Sequence, residues 1–535
     1  MLTNSNTKYL LPYILLILFS CSCKQSSDSG KKIKAVRDTS ISVTNAFTPK
    51  FLDSTDLETF LKNRQLHDSV ASRLREFYAK RNYQYAWFTD SGFVEYGQGF
   101  SEMLNNYLAY SKDSTLFDQE LRSLIDSFSI NEHSTRPATE FIKTELLLST
   151  QFFRYAHRVY EGRNGLDQKD LGWFIPKKKV DPVAVLDSMI SVRSSRFETY
   201  EPLNPQYHLL KNQLIKYYTL QNELDSLRPI ELLNRKDILD SSKNINLKKH
   251  LVLLGDLSTK ASASKDSDSV IIALKRFQNR HGLSPTDVVN QATANCFNEP
   301  SDSRIKQMLI NLERLKWVPL QPSSDYLLVN IPEFRLHAFD NGQYMWSMKV
   351  VVGTDANSTV IFSGNLKYVV FSPYWNIPRS ILKKEILPGI SRNKNYLAQH
   401  KMEWNGGNVR QKPGPRNSLG LVKFLFPNSY NIYLHDTPSK SLFNESKRAF
   451  SHGCIRLEKP TKLASFLLRN DSSWNSDKIA QAMNAGKENY VTLRETIPVF
   501  IGYFTSWVDQ AGVLNFRDDI YGHDKKMAEK LFIKD

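Results

Sequence analysis

The residues with the clearest chemical potential form the segment Ser451-His452-Gly453-Cys454-Ile455-Arg456. Cys454 is one of only four cysteines in 535 residues, and His435 lies upstream at the end of an apolar, strand-like run. A thiol attacks as the thiolate, and a free cysteine is mostly protonated near neutral pH, so it needs a base or a positive neighbour. We expect His435 rather than the adjacent His452 to be that base, because a loop can return the second segment alongside the first.

Two neighbours of the cysteine also have a chemical use. Gly453 lets the backbone approach a substrate and point amide hydrogens at a developing oxyanion. Arg456 can fix the loop or bind a substrate carboxylate through two hydrogen bonds. A papain-like protease is not supported, since its histidine should follow the cysteine at long range and only His523 lies downstream.

The N-terminus has the features of a processing signal. Lys8 precedes an apolar run, Tyr9 to Phe19, that is too short to span a bilayer comfortably. The run ends in Leu18-Phe19-Ser20-Cys21, which resembles the lipobox of bacterial lipoproteins and predicts lipid attachment at Cys21, with Cys23 as the weaker candidate. An ordinary secretory peptide and an uncleaved anchor are the alternatives. All three place the bulk of the chain outside the cytoplasm. The lipoprotein interpretation puts it in the cell envelope, facing the periplasm, with inner or outer membrane undecided.

A lone thiol outside the cytoplasm needs an explanation, because that compartment usually oxidises or pairs thiols. Cys296, in Ala294-Asn295-Cys296-Phe297, has the pattern of a small buried position near a helix end. We expect two free thiols, an inert Cys296 and a reactive Cys454, although a disulfide between them is possible on paper. The chain has no CxxC pair, so we predict no structural zinc site and no cofactor.

Composition narrows the class of protein. A formal net charge of +16 is compatible with nucleic acid, an anionic membrane surface or an anionic cell-wall polymer, and equally with scattered solvated lysines. We find no basic helix or nucleic-acid signature, so we predict no nucleic-acid partner. A hydrophobic content of 41%, with 30 Phe and 24 Tyr, argues against a disordered chain, and the length predicts several domains.

The elements that must position the cysteine change in character along the chain. Residues 51–240 show helical spacing, as at Leu210, Leu214 and Tyr217. From Pro319 onward, short strand-like runs predominate, and Asn341-Gly342 is a strong hairpin signal. A more helical, polar insertion interrupts these strands from Ile377 to Gln399, and the last residues, from Asp524, have the composition of a charged tail.

A small helical unit precedes the strands. Ile271, Leu274 and Phe277 form one apolar stripe within Val270 to Arg280. The run Ala273 to Gln278, followed by Gly282-Leu283, resembles the peptidoglycan-binding repeat of cell-wall enzymes, and it departs from that repeat after Leu283, where the usual Asp-Gly turn is missing.

One arrangement in the chain resembles the signature of the L,D-transpeptidase (YkuD-type) catalytic domain. It consists of His435, fifteen intervening residues and then Ser451-His452-Gly453-Cys454-Ile455-Arg456. Five neighbouring segments resemble the large YcbB-like branch: Tyr433 to Pro438, Leu442-Phe443, Arg448 to Phe450, Pro413 to Gly420 and Pro373 to Pro378. The resemblance implies a multidomain α+β fold with a helical scaffold, a small three-helix peptidoglycan-binding-like module and a β-rich catalytic domain with a helical capping insertion.

The implied division of the chain has seven parts. They are a signal peptide (1–20), a lipid-anchored flexible tether (21–50), a helical scaffold domain (51–240), a peptidoglycan-binding-like domain (241–300), a connecting helix (301–321), the catalytic domain (322–500, with its cap at about 377–400) and a C-terminal extension (501–535).

The resemblance also implies roles for individual residues. Cys454 would be the nucleophile and His435 the base and later the acid, its ring oriented by the backbone carbonyl of Asp436. Amides of Gly453 and Cys454, with the Tyr433 hydroxyl, would form the oxyanion hole. The implied substrate-binding residues are Arg456, His452, Ser451, Trp375, Asn376 and Asp436.

The implied reaction is acyl transfer between peptidoglycan stem peptides by a monomer, with carbapenems as inhibitors. Cys454 would attack the bond between the third and fourth residues of a tetrapeptide stem, release D-alanine and pass the acyl group to an amine of another stem. Hydrolysis by an L,D-carboxypeptidase and attachment of a protein to the wall share the first step and stay open. A catalytically silent wall-binding lipoprotein is less favoured, because Cys454 and His435 are both present.

Overall fold

The computed structural model of the protein describes residues 36–532 except 131–135, 163–165, 194, 264–267, 321 and 323. The predicted signal peptide, the lipidation candidates Cys21 and Cys23 and most of the predicted tether lie outside the described residues. Within the described ranges, no helix is both long enough and apolar enough to cross a membrane.

The N-terminal region is helical. Its seven helices are α1 Ser54–Arg64, α2 Asp68–Lys80, α3 Glu95–Ser111, α4 Gln119–Ile130, α5 Ala138–Tyr160, α6 Pro182–Val192 and α7 Pro205–Ser226. Short strands lie between them at β1 Phe88–Thr89, β2 Gly92–Phe93 and β3 Trp173–Phe174. The predicted stripe on α7 is confirmed, since Leu210, Leu214 and Tyr217 are buried. Helices α1 to α7 share one continuous apolar core with the C-terminal strands.

A smaller unit with a core of its own follows. Its helices are α8 Arg235–Leu239, α9 Ile245–Leu253, α10 Thr259–Ala263, α11 Asp268–Arg280 and α12 Gln291–Phe297. The predicted stripe of Ile271, Leu274 and Phe277 is buried in this separate core. We expected three helices, and the structure has two more, each of five residues, which are too short to leave a periodic pattern in the sequence.

The long helix α13, Ser301–Trp317, leads into the β-rich region. Its strands are β4 Tyr326–Asn330, β5 Arg335–Asp340, β6 Gln343–Gly353, β7 Ile361–Phe371, β8 Trp375–Asn376, β9 Met402–Asn405, β10 Asn408–Gln411, β11 Val422–Leu425, β12 Leu434–His435, β13 Ala449–Ser451, β14 Ile455–Leu457, β15 Asn489–Gly502, β16 Ser506–Val508 and β17 Leu514–Phe516. Its helices are α14 Arg379–Ile381, α15 Leu387–Arg392, α16 Tyr396–Gln399, α17 Pro460–Leu467, α18 Ser476–Asn484 and α19 His523–Leu531. The predicted multidomain α+β fold, helical first and β-rich afterwards, is confirmed.

Eight of these strands pair in a closed ring, in the order β7, β11, β12, β14, β6, β5, β4, β15 and back to β7. The β12–β14 and β4–β15 pairs are parallel and the other pairs of the ring are antiparallel. The predicted hairpin between β5 and β6 is confirmed, with Asn341 and Gly342 both at positive φ, as its two-residue turn requires. Strand β3 of the helical region pairs with β7, which fixes the scaffold to the ring.

The capping insertion differs in part from the expectation. It runs from β8 through α14, a π-helical turn at Leu382–Ile386, α15 and α16, and then continues through β9 and β10 to Gln411. Strands β8, β10 and β9 form a small sheet, and the insertion has its own apolar cluster around Ile377 and Val409. Strands of two to four residues are too short for alternation to predict, so only the helical half was expected.

The predicted charged tail is wrong for the residues up to Leu531. They form α19, whose Met527 and Leu531 are buried in the main core while lysines cover the outer face. Asp524 forms an ion pair with Arg314 of α13 at 2.5 Å, where Arg314 is buried and Asp524 is partly buried. An amphipathic helix of nine residues places only two apolar side chains inward, and that is too few to distinguish it from a charged tail in the sequence.

Candidate active site

His435 and Cys454 lie on neighbouring segments of the ring. In the parallel β12–β14 pair, Leu434 is opposite Ile455 and His435 is opposite Arg456. Leu434 and Ile455 are fully buried in the core, so alternation directs the flanking residues to the other face. Tyr433, His435, Cys454 and Arg456 therefore share one face of the ladder.

His435 is held as a neutral base. Its ring is buried, and Nδ1 donates a hydrogen bond to the carbonyl oxygen of Asp436, which leaves Nε2 as an acceptor. Burial and the nearby Arg456 guanidinium lower the pKa of His435 to about 4. The imidazole is therefore uncharged at neutral pH and free to take a proton.

The Asp436 side chain points away from that ring. One carboxylate oxygen accepts from the Thr437 amide at 2.7 Å and from Lys440 at 2.6 Å, and the other accepts from the Leu421 amide at 2.9 Å. These contacts engage the carboxylate inside the protein, which differs from the expectation that Asp436 binds substrate. Asp436 contributes its backbone carbonyl to the site.

The Cys454 thiol is partly buried and lies beside Tyr433. Its Sγ–H donates to the carbonyl of Asn431 at 3.7 Å. Burial raises the pKa of the thiol, and hydrogen bonds from Tyr433 act in the opposite direction without cancelling it. Burial and the thiol also raise the pKa of Tyr433, so its hydroxyl keeps its proton and stays a donor. The resting pair is thus a thiol and a neutral imidazole.

The loop that carries Cys454 is shaped by Ser451. Its hydroxyl donates to the Cys454 carbonyl at 2.5 Å and accepts from the Gly453 amide at 3.1 Å. Gly453 has φ +111°, a conformation that L side chains rarely adopt. Since its amide is engaged, Gly453 does not supply the expected oxyanion donor. No bond from the Cys454 amide is found among the described residues, so this amide is an available donor, whereas the Tyr433 hydroxyl is engaged with the resting thiol.

Arg456 and His452 lie on different sides of the nucleophile. Arg456 faces His435 across the ladder, and its Nε is buried without a partner among the described residues. His452 is half-exposed, and its Nε2 lies 3.1 Å from Oε1 of Glu385 in the π-helical turn of the cap. His452 therefore links the nucleophile loop to the cap.

Trp375 and Asn376 are not on the ladder that carries the cysteine. They form β8, where Asn376 pairs with Arg410 and Trp375 pairs with Gln411. Trp375 packs against the apolar cluster of the cap, and Asn376 is exposed. Both residues lie at the base of the cap, in a sheet separate from the ring.

Thr359 also supports the loop that carries Cys454, and no sequence motif predicted this role. Its buried hydroxyl donates to the Gly453 carbonyl at 2.9 Å and accepts from the Gly353 amide at 2.9 Å. The Tyr521 hydroxyl donates to the Gly353 carbonyl at 2.6 Å and accepts from the Thr359 amide at 3.4 Å. Tyr521 lies beyond the predicted end of the catalytic domain, so the C-terminal extension reaches the nucleophile loop.

Cys296 and Cys454 are both free thiols. Burial raises the pKa of Cys296, which packs against the core of the small helical unit. The structure thus keeps the two thiols in different parts of the fold. Within the described part of the chain, no group of three or more His, Cys, Asp or Glu side chains is arranged to hold a metal ion.

Comparison with known proteins agrees with this geometry. A family model for the YkuD L,D-transpeptidase catalytic domain matches residues 324–487, and one for a scaffold domain matches residues 72–214. A protein of Haemophilus influenzae whose name assigns it to the L,D-transpeptidases is 33% identical over 248 residues, 42% of this chain and 50% of that protein. This chain thus spans about half the length of that curated relative.

Two solved structures are similar at lower identity. An L,D-transpeptidase from Mycobacterium smegmatis is 12% identical, with a TM-score of 0.20 over 34% of this chain and 58% of the other. The LD transpeptidase LdtMt1 in complex with imipenem is 14% identical, with a TM-score of 0.17 over 34% of this chain and 59% of the other. By the family match and the curated relative, residues 324–487 are an L,D-transpeptidase catalytic domain of the YkuD type, in a chain that also carries a scaffold domain.

Proposed function

We propose that the chain is a peptidoglycan L,D-transpeptidase that uses Cys454 as its nucleophile and His435 as its general base. The observation that carries this proposal is the neutral, buried imidazole of His435, oriented by the Asp436 carbonyl on the same face of the ladder as the thiol. A base with a free nitrogen beside a protonated thiol is the arrangement that nucleophilic acyl transfer needs.

In the first step, the Cys454 thiol gives its proton to Nε2 of His435 while Sγ attacks the carbonyl between the third and fourth residues of a tetrapeptide stem. The negative charge that develops on the carbonyl oxygen is met by the Cys454 amide and the Tyr433 hydroxyl. The C–N bond breaks, the imidazolium returns the proton to the departing D-alanine nitrogen, and a thioester remains on Sγ.

In the second step, a side-chain amine of another stem attacks the thioester. His435 takes a proton from this amine, the C–S bond breaks, and Sγ regains the proton as a thiol. The product is an amide bond between two third-position residues. Water or a protein amine in place of the stem amine would give the carboxypeptidase or the wall-attachment reaction.

Defined disaccharide-tetrapeptides incubated with the purified chain test the reaction, with products read by mass spectrometry. Linked dimers together with free D-alanine are expected. Loss of alanine without dimers would make the enzyme a carboxypeptidase, and no alanine release would refute the proposal. Cys454→Ala should abolish both products, and Cys296→Ala is the matched control that should retain them.

A carbapenem offers a second test, because its strained carbonyl accepts a thiolate as the stem carbonyl does. Intact-protein mass spectrometry should show one adduct, mapped to Cys454 and absent from Cys454→Ala. An adduct that persists in Cys454→Ala and disappears in Cys296→Ala would contradict the assignment of the nucleophile.

We further propose that the chain is a monomeric lipoprotein of the cell envelope with lipid on Cys21. The support is the apolar run that ends in Ser20-Cys21. Labelling of expressing cells with a palmitate analogue should mark the wild-type protein and spare Cys21→Ala, whereas Cys23→Ala should stay labelled. The reverse pattern would move the modification to Cys23.

A further inference from the structure

A sizeable cavity of the described chain lies away from Cys454. It encloses about 550 Å³ between the β4, β5 and β15 strands, the end of α13 and the β16–β17 hairpin. The scaffold also contributes to its wall, through Asn204 and Gln206. A cavity of this volume suits a ligand of several residues or rings rather than a single small ion.

The floor of the cavity is apolar and aromatic. Tyr326 and Phe339 stack with ring centroids 4.2 Å apart, and Phe500 packs edge-on against Tyr326. Leu328 and Phe504 extend this surface along β4 and past β15. Apolar side chains of a ligand would be buried here.

One end of the cavity carries arginines. Arg335 and Arg517 line it. Arg448 lies near both, and its pKa is lowered first by burial and then by repulsion from these two guanidinium groups. Glu333 is the buried carboxylate at this end, and His337 contacts it at 2.8 Å. Asp509 also lines the wall, and both of its oxygens accept hydrogen bonds within the hairpin.

The groups at this end are guanidinium donors and the Glu333 carboxylate, whose charge offsets part of that of Arg335 and Arg517. Arg335 uses Nε and Nη2 on the Ser347 hydroxyl, and Arg517 uses Nη1 on two backbone carbonyls. In the described part of the chain, no partner is found for Nη1 of Arg335 or Nη2 of Arg517. The side-chain amides of Asn279 and Gln510 line the same cavity. Such a set matches a ligand with a carboxylate and amide groups, and a fatty acid would leave these amides unused.

We propose that this cavity is a second binding site, for the carboxylate end of a peptide whose apolar side chains lie on the aromatic floor. The choice of a stem peptide as the natural ligand rests on the proposed function. The site would hold one chain of the wall polymer while the catalytic cleft works on another.

The test uses a tetrapeptide stem ending in a free D-alanine carboxylate, and the same peptide as its C-terminal amide. Both are titrated into the full chain carrying Cys454→Ala, which prevents turnover, with binding measured by calorimetry. The acid should bind and the amide should bind about tenfold more weakly, because the amide loses the charge-assisted hydrogen bonds to the guanidinium groups. Equal affinities would overturn the proposal.

Arginine variants locate the site. Arg335→Gln and Arg517→Gln, each confirmed as folded by its melting temperature, should weaken one component of acid binding about tenfold. Arg456→Gln, at a residue expected to bind substrate in the catalytic cleft, should leave that component unchanged. Weakening by Arg456→Gln alone would assign all binding to the cleft and leave the proposed function intact. Quenching of Trp507, which lines the cavity, gives a readout that does not depend on an arginine substitution. If the peptide binds but does not change the fluorescence, or changes it equally in Trp507→Phe, the peptide does not occupy the cavity and the proposal is rejected.

Discussion

Replacing Thr359 with valine tests how the fold holds the nucleophile. The substitution keeps the shape of the side chain and removes the hydroxyl that joins the Gly453 carbonyl to the Gly353 amide. Both glycines and Thr359 are buried, so water does not replace these bonds. Each of the two unpaired buried groups costs about 1–3 kcal/mol, so the free energy of unfolding should fall by roughly 2–6 kcal/mol.

Catalysis should fall as well, because the Gly453 carbonyl fixes the loop that aims Cys454. A misplacement of about 1 Å near reacting atoms costs on the order of 100-fold in rate. The assays are urea unfolding, and the rate of carbapenem acylation at Cys454 under conditions where every variant is folded.

Thr359→Ser is the matched control, since it keeps the hydroxyl and should retain most of the acylation rate. Tyr521→Phe removes the bond to the Gly353 carbonyl, one step further from the loop, and should give a smaller loss of rate. If Thr359→Val loses stability as expected and still acylates at the wild-type rate, the reasoning about loop position is refuted.

Three further changes probe the site and the cap. The pKa of His435 is about 4 in the folded protein and 6.5 ordinarily, so between these pH values the unfolded chain binds more protons. The free energy of unfolding should therefore fall as the pH drops from 6.5 to 4, by up to roughly 3 kcal/mol. Urea unfolding across that range should show this slope in the wild type and a weaker one in His435→Gln, and identical slopes would contradict the neutral-base assignment. Gly453→Ala should slow acylation by straining the backbone at φ +111°. The nearest atom to an added Cβ is 3.8 Å away, so the effect would come from the backbone conformation and not from a clash. A wild-type rate would show that the loop tolerates another conformation. Glu385→Gln should raise KM a few-fold at unchanged kcat by loosening the half-exposed contact between the cap and His452, and a fall in kcat alone would place this contact in the chemical step.

The His435–Cys454 pair was accessible to sequence reasoning because its geometry is local. A strand end, a loop of suitable length and a second short strand suffice to bring the two residues onto one ladder. The Asn341-Gly342 turn was predictable for the same reason, since two residues determine its backbone.

The parts that sequence reasoning missed depend on distant contacts. Thr359 and Tyr521 are 162 residues apart and meet only after the ring has closed. The engagement of the Gly453 amide by Ser451 depends on the loop's three-dimensional path, which motif spacing does not specify. The cap strands and α19 were missed because short elements with few inward residues carry too weak a periodicity.

The central position of β15 has a consequence for the order in which the chain matures. This strand lies between β4 and β7, yet it is made after every other strand of the ring. A nascent chain that ends before Asn489 already contains His435 and Cys454, but it has an open seam where β4 and β7 each lack a neighbour. Tyr521, which supports the nucleophile loop through Thr359, emerges later still. The surroundings of Cys454 are therefore complete only once the chain through Tyr521 is present.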